Sequence, residues 1–214
     1  MKKLIAIFVA VLGVFCFAFT GCDKKSPDLS VHLVELRTNI YVGENDGLKL
    51  TCAYGFNKDI DGEYRLTFKL KTSADTPVTY TLNFKHDKSY TEEFKLNPVS
   101  HALTTQIQVD NFTKDTFTVT VYYGGESKEI TLTSIRPSNT LDYKTALNSL
   151  YKSQPSLLQN YTNGGAFTGK VRMRLTVKNG KSYYFVSFEN GEGQVKALLL
   201  DGKNATVLAV REIF

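Results

Sequence analysis

The segment Asn57-Lys58-Asp59-Ile60-Asp61-Gly62 has oxygen donors at its first, third and fifth positions and glycine at its sixth. That is the opening half of a calcium loop, which needs a bidentate acid at its twelfth position. Here the twelfth position is Phe68 and the ninth is Arg65, so the segment reads as a hairpin turn. A calcium site there would have to recruit other donors, and no metal site is expected. Cys52 has no histidine as a sequence neighbour to lower its pKa, so it reads as a small buried hydrophobe rather than a nucleophile. Glu92 and Glu93 are adjacent in a strand-like stretch, point to opposite faces, and cannot work as a facing acid/base pair. His32, His86 and His101 are scattered. The chain has no Gly-x-Ser-x-Gly elbow, phosphate-binding Walker loop, His-Glu-x-x-His or Cys-x-x-Cys. These observations predict a non-catalytic protein without a cofactor. One surface stands out. Lys170, Arg172 and Arg174 fall on the outward side of one predicted strand, with Lys178 on the same parity. They form either a solvated basic face or a contact for anionic headgroups or wall polymers.

The elements that carry these residues follow from hydrophobic periodicity. Between Val31 and Ile135 the period is two. Leu48, Leu50, Cys52 and Tyr54 alternate with polar or small residues, as do Tyr64, Leu66, Phe68 and Leu70, and Val78, Tyr80, Leu82 and Phe84. Weaker copies follow at 90–96, 103–109, 117–121 and 130–135. Alternation of this kind marks antiparallel strands with one solvated face. Turn clusters at 44–47, 59–62 and 124–125 separate the strands. Short strands at this spacing predict a β-sandwich of immunoglobulin or fibronectin type over 31–136. The stretch from Phe117 to Leu132 resembles the last hairpin of bacterial immunoglobulin-like domains, a likeness of fold that names no function.

Arg136-Pro137-Ser138 reads as a junction to a second domain, 138–214. Thr140 is placed to cap a helix whose face carries Tyr143, Ala146, Leu147, Leu150 and Tyr151. Pro155 opens a second short helix with Leu157, Leu158 and Tyr161. Asn179-Gly180, Asn190 to Gly193 and Asp201 to Asn204 then divide four strands. The expected fold class is therefore mainly β: a sandwich followed by a small α+β domain of two helices and a four-stranded antiparallel meander. The stretch from Ala197 to Val210 resembles PepSY-like domains, which would make the second domain a regulator or inhibitor of a secreted peptidase or envelope sensor. The last two strands are apolar on both sides. On this reading Leu198, Leu200, Leu208 and Val210 line an interdomain or partner contact, with the basic residues at its rim.

Composition sets the remaining bounds. The chain has 214 residues, 42% hydrophobic and 22% charged, and a formal net charge of +5. Its start is basic (Lys2, Lys3), its next stretch from Leu4 to Phe19 is uncharged, and Thr20-Gly21-Cys22 follows. About 16 apolar residues fall short of the ~20 that span a bilayer and match the apolar region of a secretory signal. The whole arrangement resembles the lipobox of bacterial lipoproteins, with Phe19 where that family has Leu. In that family the cysteine thiol receives a diacylglycerol and a peptidase cuts just before it. The resemblance implies a signal peptide over 1–21, lipidation at Cys22, a tether over 22–30, and localisation at the cell membrane on its extracytoplasmic face. Loss of 1–21 removes Lys2 and Lys3 and no acid, which lowers the net charge from +5 to +3. A mild charge with few arginines predicts no nucleic-acid partner. The partners expected are the membrane, through the anchor, and an envelope protein, peptide or glycan. The function expected is that of a spacer, adhesion or ligand-binding module.

Overall fold

The computed structural model describes residues 27–72, 78–98, 100–164 and 166–213, so Cys22 and the signal segment lie outside the described residues. The first part of the chain forms β1 (Leu33–Asn45), β2 (Leu48–Asn57), β3 (Tyr64–Thr72), β4 (Tyr80–Lys85), β5 (Ser89–Glu93), β6 (Lys95–Asn97), β7 (Ala102–Gln108), β8 (Thr116–Tyr123) and β9 (Glu126–Ser134). Their pairing is antiparallel and runs β6-β7-β3-β2-β1 on one side and β5-β4-β8-β9 on the other. The two runs meet where β9 pairs with β1 at Tyr41↔Ser134 and Val42↔Thr133. The chain is thus mainly β, with antiparallel sheets of a sandwich- or barrel-like class. The inward residues read from the sequence are buried here: Leu50, Cys52, Leu66, Phe68, Leu82 and Phe84 are each at most 1% exposed. The stretch after β7 adds Val109 and Phe112 to this core. Phe112 is held by its N–H donating to the Tyr54 hydroxyl at 3.0 Å, and its ring meets Phe117 edge-on at 5.0 Å.

The second part begins with helix α1 (Tyr143–Ser153) and a 3-10 helix, Pro155–Tyr161. Ala146, Leu147 and Leu150 form the buried face of α1. Asp142, not Thr140, caps it: its carboxylate accepts the N–H groups of Lys144 and Thr145, both at 3.0 Å. A carboxylate at this position also sits favourably against the helix dipole. Thr140 is buried and donates its hydroxyl to Ser182 at 2.8 Å. A two-stranded hairpin of β10 (Thr162–Asn163) and β11 (Ala166–Phe167) leads to β12 (Lys170–Lys178), β13 (Lys181–Glu189), β14 (Val195–Asp201) and β15 (Val207–Ile213). These last four strands pair in sequence order as an antiparallel meander.

The two parts share β1. One edge of this strand pairs with β2 along its length. The other edge pairs first with β12, in parallel, over Leu33 to Arg37, and then with β9. The change of neighbour coincides with a bulge between Arg37 and Asn39. Because of the bulge, Leu36 and Tyr41 both point inward, Leu36 into the second core and Tyr41 into the first. Gly55 sits opposite the bulge, where an added Cβ would lie 1.8 Å from the Leu36 carbonyl oxygen, so only glycine fits.

The meander therefore carries a fifth strand, and its core contains residues from before the expected boundary. Leu29, Leu33 and Leu36 are at most 2% exposed and pack with α1 and with Val171, Met173 and Leu175. Leu29 opens a short 3-10 helix, Leu29–His32, capped by Asp28, whose carboxylate accepts the Ser30 N–H at 2.9 Å. The expected tether over 22–30 is thereby corrected in its described part. Asp28 and Leu29 are folded, because Leu29 is apolar and has a core to enter.

Burying each of these leucines contributes about 1.5–3 kcal/mol. Together that is comparable to the whole stability of a small domain. A fragment covering 138–214 is expected to lack a cooperative thermal transition by circular dichroism and to bind a hydrophobic dye. A sharp transition without dye binding would show that the meander is complete without β1.

Candidate functional site

The long path β15-β14-β13-β12-β1-β2-β3-β7-β6 has one side covered by α1 and by the other β-sheet run. Its opposite side is open, and the charged residues singled out in the sequence meet there. The turn at 57–62 supplies one half of the arrangement. Asn57 accepts through its carbonyl from Gly62 N–H at 3.0 Å and through its side chain from Asp59 N–H at 2.9 Å. Gly62 takes φ +82°. The donor-rich pattern that resembled a calcium loop is thus used to close a tight turn. Lys58 N–H donates to the Val34 carbonyl at 2.6 Å, which folds the turn back onto β1.

From this position Asp59 reaches across β1 to β12. Arg172 donates through Nη2 to Asp59 at 2.9 Å and through Nη1 to Glu189 at 2.5 Å. Arg174 grips Glu35 with two parallel bonds, from Nε at 2.5 Å and from Nη2 at 2.6 Å. Lys170 stands 3.9 Å from the Glu189 carboxylate. The Glu189 bond pushes the Arg172 pKa up, and Asp59 adds to it. The Arg172 bond holds the Asp59 carboxyl below its ordinary value. The row read from sequence as a basic face is therefore largely matched by acids, two of which, Asp59 and Glu35, come from the first part of the chain.

Beside this belt lies a depression of about 200 Å³ over Gly55. Glu35, Arg37, Arg65, Ile60, Ala53 and Gln106 are among its lining residues. Arg65 is also engaged: Nη1 donates to Gln106 at 2.7 Å and Nη2 is bonded to Asp61. Its Nε is buried and has no partner among the described residues. Arg37 is half-buried, and its guanidinium has no hydrogen-bond or ion-pair partner among the described residues. Burial and the neighbouring charge of Arg174 lower its pKa, while Glu35 acts in the opposite direction. Sequence reasoning missed Arg37. It lies in β1 between Leu36 and Thr38, and nothing in its neighbours signals that β12 will bring Arg174 alongside.

The four apolar residues expected to line a contact separate here. Leu198 and Leu200 are at most 1% exposed in the second core, so they face α1 and cannot also form a partner surface. This corrects the expectation. Leu198 lies in one cross-strand row with Val186, Met173 and Leu36, all on the helix-covered side. Val210 continues the row on the free edge strand, beyond the covered area, and is 47% exposed. A bulge in β15 leaves Leu208 unpaired, also exposed. The open side instead carries Phe185, Leu199 and Ala209 in the row that begins with Arg174.

Cys52 is fully buried, and desolvation pushes its thiol pKa well up, which makes the thiolate scarce. No protein-family model matches the chain, and no curated protein matches it.

Two outcomes are expected. Cys52→Ala should cost about 1–2 kcal/mol in urea denaturation, and the native wild type should resist thiol reagents. Asp59→Asn should lower stability at pH 7 by about 0.2–1 kcal/mol, as for an exposed ion pair. A depressed carboxyl stabilises the fold above its unfolded value, near 4, and loses that effect as the pH falls through the folded value. The gap between variant and wild type should therefore close as the pH drops below about 4. A gap that widens instead would remove Asp59 from the ion-pair account.

Proposed function

We propose that this is a non-catalytic, lipid-anchored protein of the bacterial cell envelope. The observation that carries this reading is the N-terminal arrangement of two lysines, an uncharged apolar run and Gly21-Cys22. Cys22 takes the lipid, and residues 1–21 are the signal peptide. Only residues 23–28 separate the lipid-bearing Cys22 from the buried Leu29, so the protein stands close to the bilayer. Its first part is an immunoglobulin-like sandwich acting as a spacer or adhesion module. Its second part, with its exposed edge at Leu208 and Val210, meets an envelope protein, peptide or glycan. A non-catalytic role is supported by the use of the acidic candidates Asp59, Asp61, Glu35 and Glu189 in ion pairs with arginine.

A second reading is favoured by the order of α1, the 3-10 helix and the meander, together with the turn after β14. Asp201 accepts there from Lys203 N–H at 2.8 Å and closes the hairpin to β15. This resembles the Asp-containing turn of PepSY-like domains, and it makes the protein a regulator of a secreted peptidase or envelope sensor. Inhibition of a secreted peptidase by the purified chain would favour this reading over the first.

Cells expressing the wild-type chain should incorporate radiolabelled palmitate into it, and Cys22→Ala should abolish the label and leave an unprocessed precursor. An unlabelled wild type would overturn the anchoring reading.

A further inference from the structure

Among the described residues, the arginines in and beside the depression are all matched except one. Arg174 is spent on Glu35, Arg172 on Asp59 and Glu189, and Arg65 on Asp61 and Gln106. Arg37 has Arg174 as its neighbour across the β1–β12 pair and no carboxylate in contact. A half-buried guanidinium without a counter-ion is costly unless something supplies one. The same depression has an apolar side. Ile60 projects from its turn, 62% exposed, and Ala53 lies on the strand below. Gln106 uses its carbonyl oxygen for Arg65, which leaves its amide N–H groups as donors. The floor is backbone, because β1 at Leu36 and Arg37 approaches Gly55 too closely for any side chain there.

We propose that the depression over Gly55 binds a small carboxylate, with Arg37 as the ligand-binding residue and Ile60 and Ala53 as the seat of a short apolar tail. One free guanidinium matches one negative charge, and its planar fork matches a planar carboxylate through two parallel bonds. A phosphate dianion would ask for further cations, and those nearby are already engaged. The volume, about 200 Å³, is below that of pockets for drug-sized ligands and suits a branched acid of a few carbons. Such a carboxylate is carried either by a free short-chain acid or by the C-terminus of a peptide. This site does not depend on lipidation at Cys22.

Isothermal titration of the full chain in detergent tests the site. The probes are isovalerate, isovaleramide, inorganic phosphate and the peptide acetyl-Ala-Val. Isovalerate should bind at a single site with a Kd of about 0.1–1 mM. Isovaleramide, its uncharged isostere, should not bind. Tighter binding of acetyl-Ala-Val than of isovalerate assigns the site to a chain terminus, and the reverse assigns it to a free acid. Arg37→Gln should weaken binding at least tenfold, and Arg37→Lys, which keeps the charge but not the fork, should fall between. The thermal transition of each variant is followed in parallel, and Arg37→Lys serves if Arg37→Gln does not fold. Equal binding of isovalerate and isovaleramide, preference for phosphate, or binding unchanged in the Arg37 variants would overturn the proposal. So would the absence of binding by either carboxylate.

Discussion

The structure depends on the double commitment of β1. A strand in a sheet has two edges, and each edge of β1 is taken. β2 occupies one throughout, while β12 and β9 divide the other. The division is possible because the bulge between Arg37 and Asn39 bends the strand and resets its side-chain parity. Without the extra residue, inward-facing Leu36 would force Tyr41 outward, and one of the two cores would lose its share of β1. Asn39 secures the far side of the bulge. Its side chain accepts from Ile40 N–H and from the Ser134 hydroxyl, both at 2.8 Å, and donates to the Tyr41 hydroxyl.

The ion pairs on the open face follow from that arrangement. Parallel pairing of β1 with β12 sets Glu35 and Arg37 alongside Arg172 and Arg174. Glu35 is only 12% exposed at its side chain, so its two-pronged bond to Arg174 is partly shielded from water and salt. The Arg172 pair with Asp59 is more open and contributes less. These contacts set the register between the two parts more than they set the depth of the energy well. A shift of one residue along β12 would put Val171, Met173 or Leu175 where an arginine is needed. At the outer edge, β15 turns Glu212 to Lys196 at 2.8 Å and, with Arg211 beside it, places charge on the strand that ends the sheet.

Much of the β-structure was legible in the sequence, for a simple reason. Where one face of a strand is wet, alternation of Leu48, Leu50 and Cys52 with polar neighbours identifies the buried side directly. The hairpin dividers Asn179-Gly180 and Asp201-Gly202 located the turns of the meander for similar reasons of backbone conformation. Leu198 and Leu200 were misplaced because β14 is apolar on both sides, so local pattern cannot say which side the helix covers. That choice is made by register with Val186 and Met173, a non-local property. The role of Leu29, Leu33 and Leu36 in the second core was also hidden, since their partners lie far along the chain. Arg37 was hidden twice over. Its importance comes from the absence of a partner, and its neighbourhood is made by strands far apart in sequence.

The pairing of β1 with β12 also has a consequence for the order of assembly. Glu35 and Arg174 are 139 residues apart, yet they share a contact where the two parts of the chain meet. Contacts of such long range are slow to form, because a large loop must close before any stabilisation is gained. β1 is made first, but its parallel neighbour is among the last strands to emerge. Until then the backbone groups of Leu33 to Arg37 that face β12 have no strand to bond, and Leu33 and Leu36 have no core to enter. The nascent chain thus carries an unpaired, apolar strand edge for most of its synthesis or export. Such an edge invites pairing with other chains. The vulnerable form of this protein is therefore the unfinished chain, and its hazard lies at the beginning of the sequence.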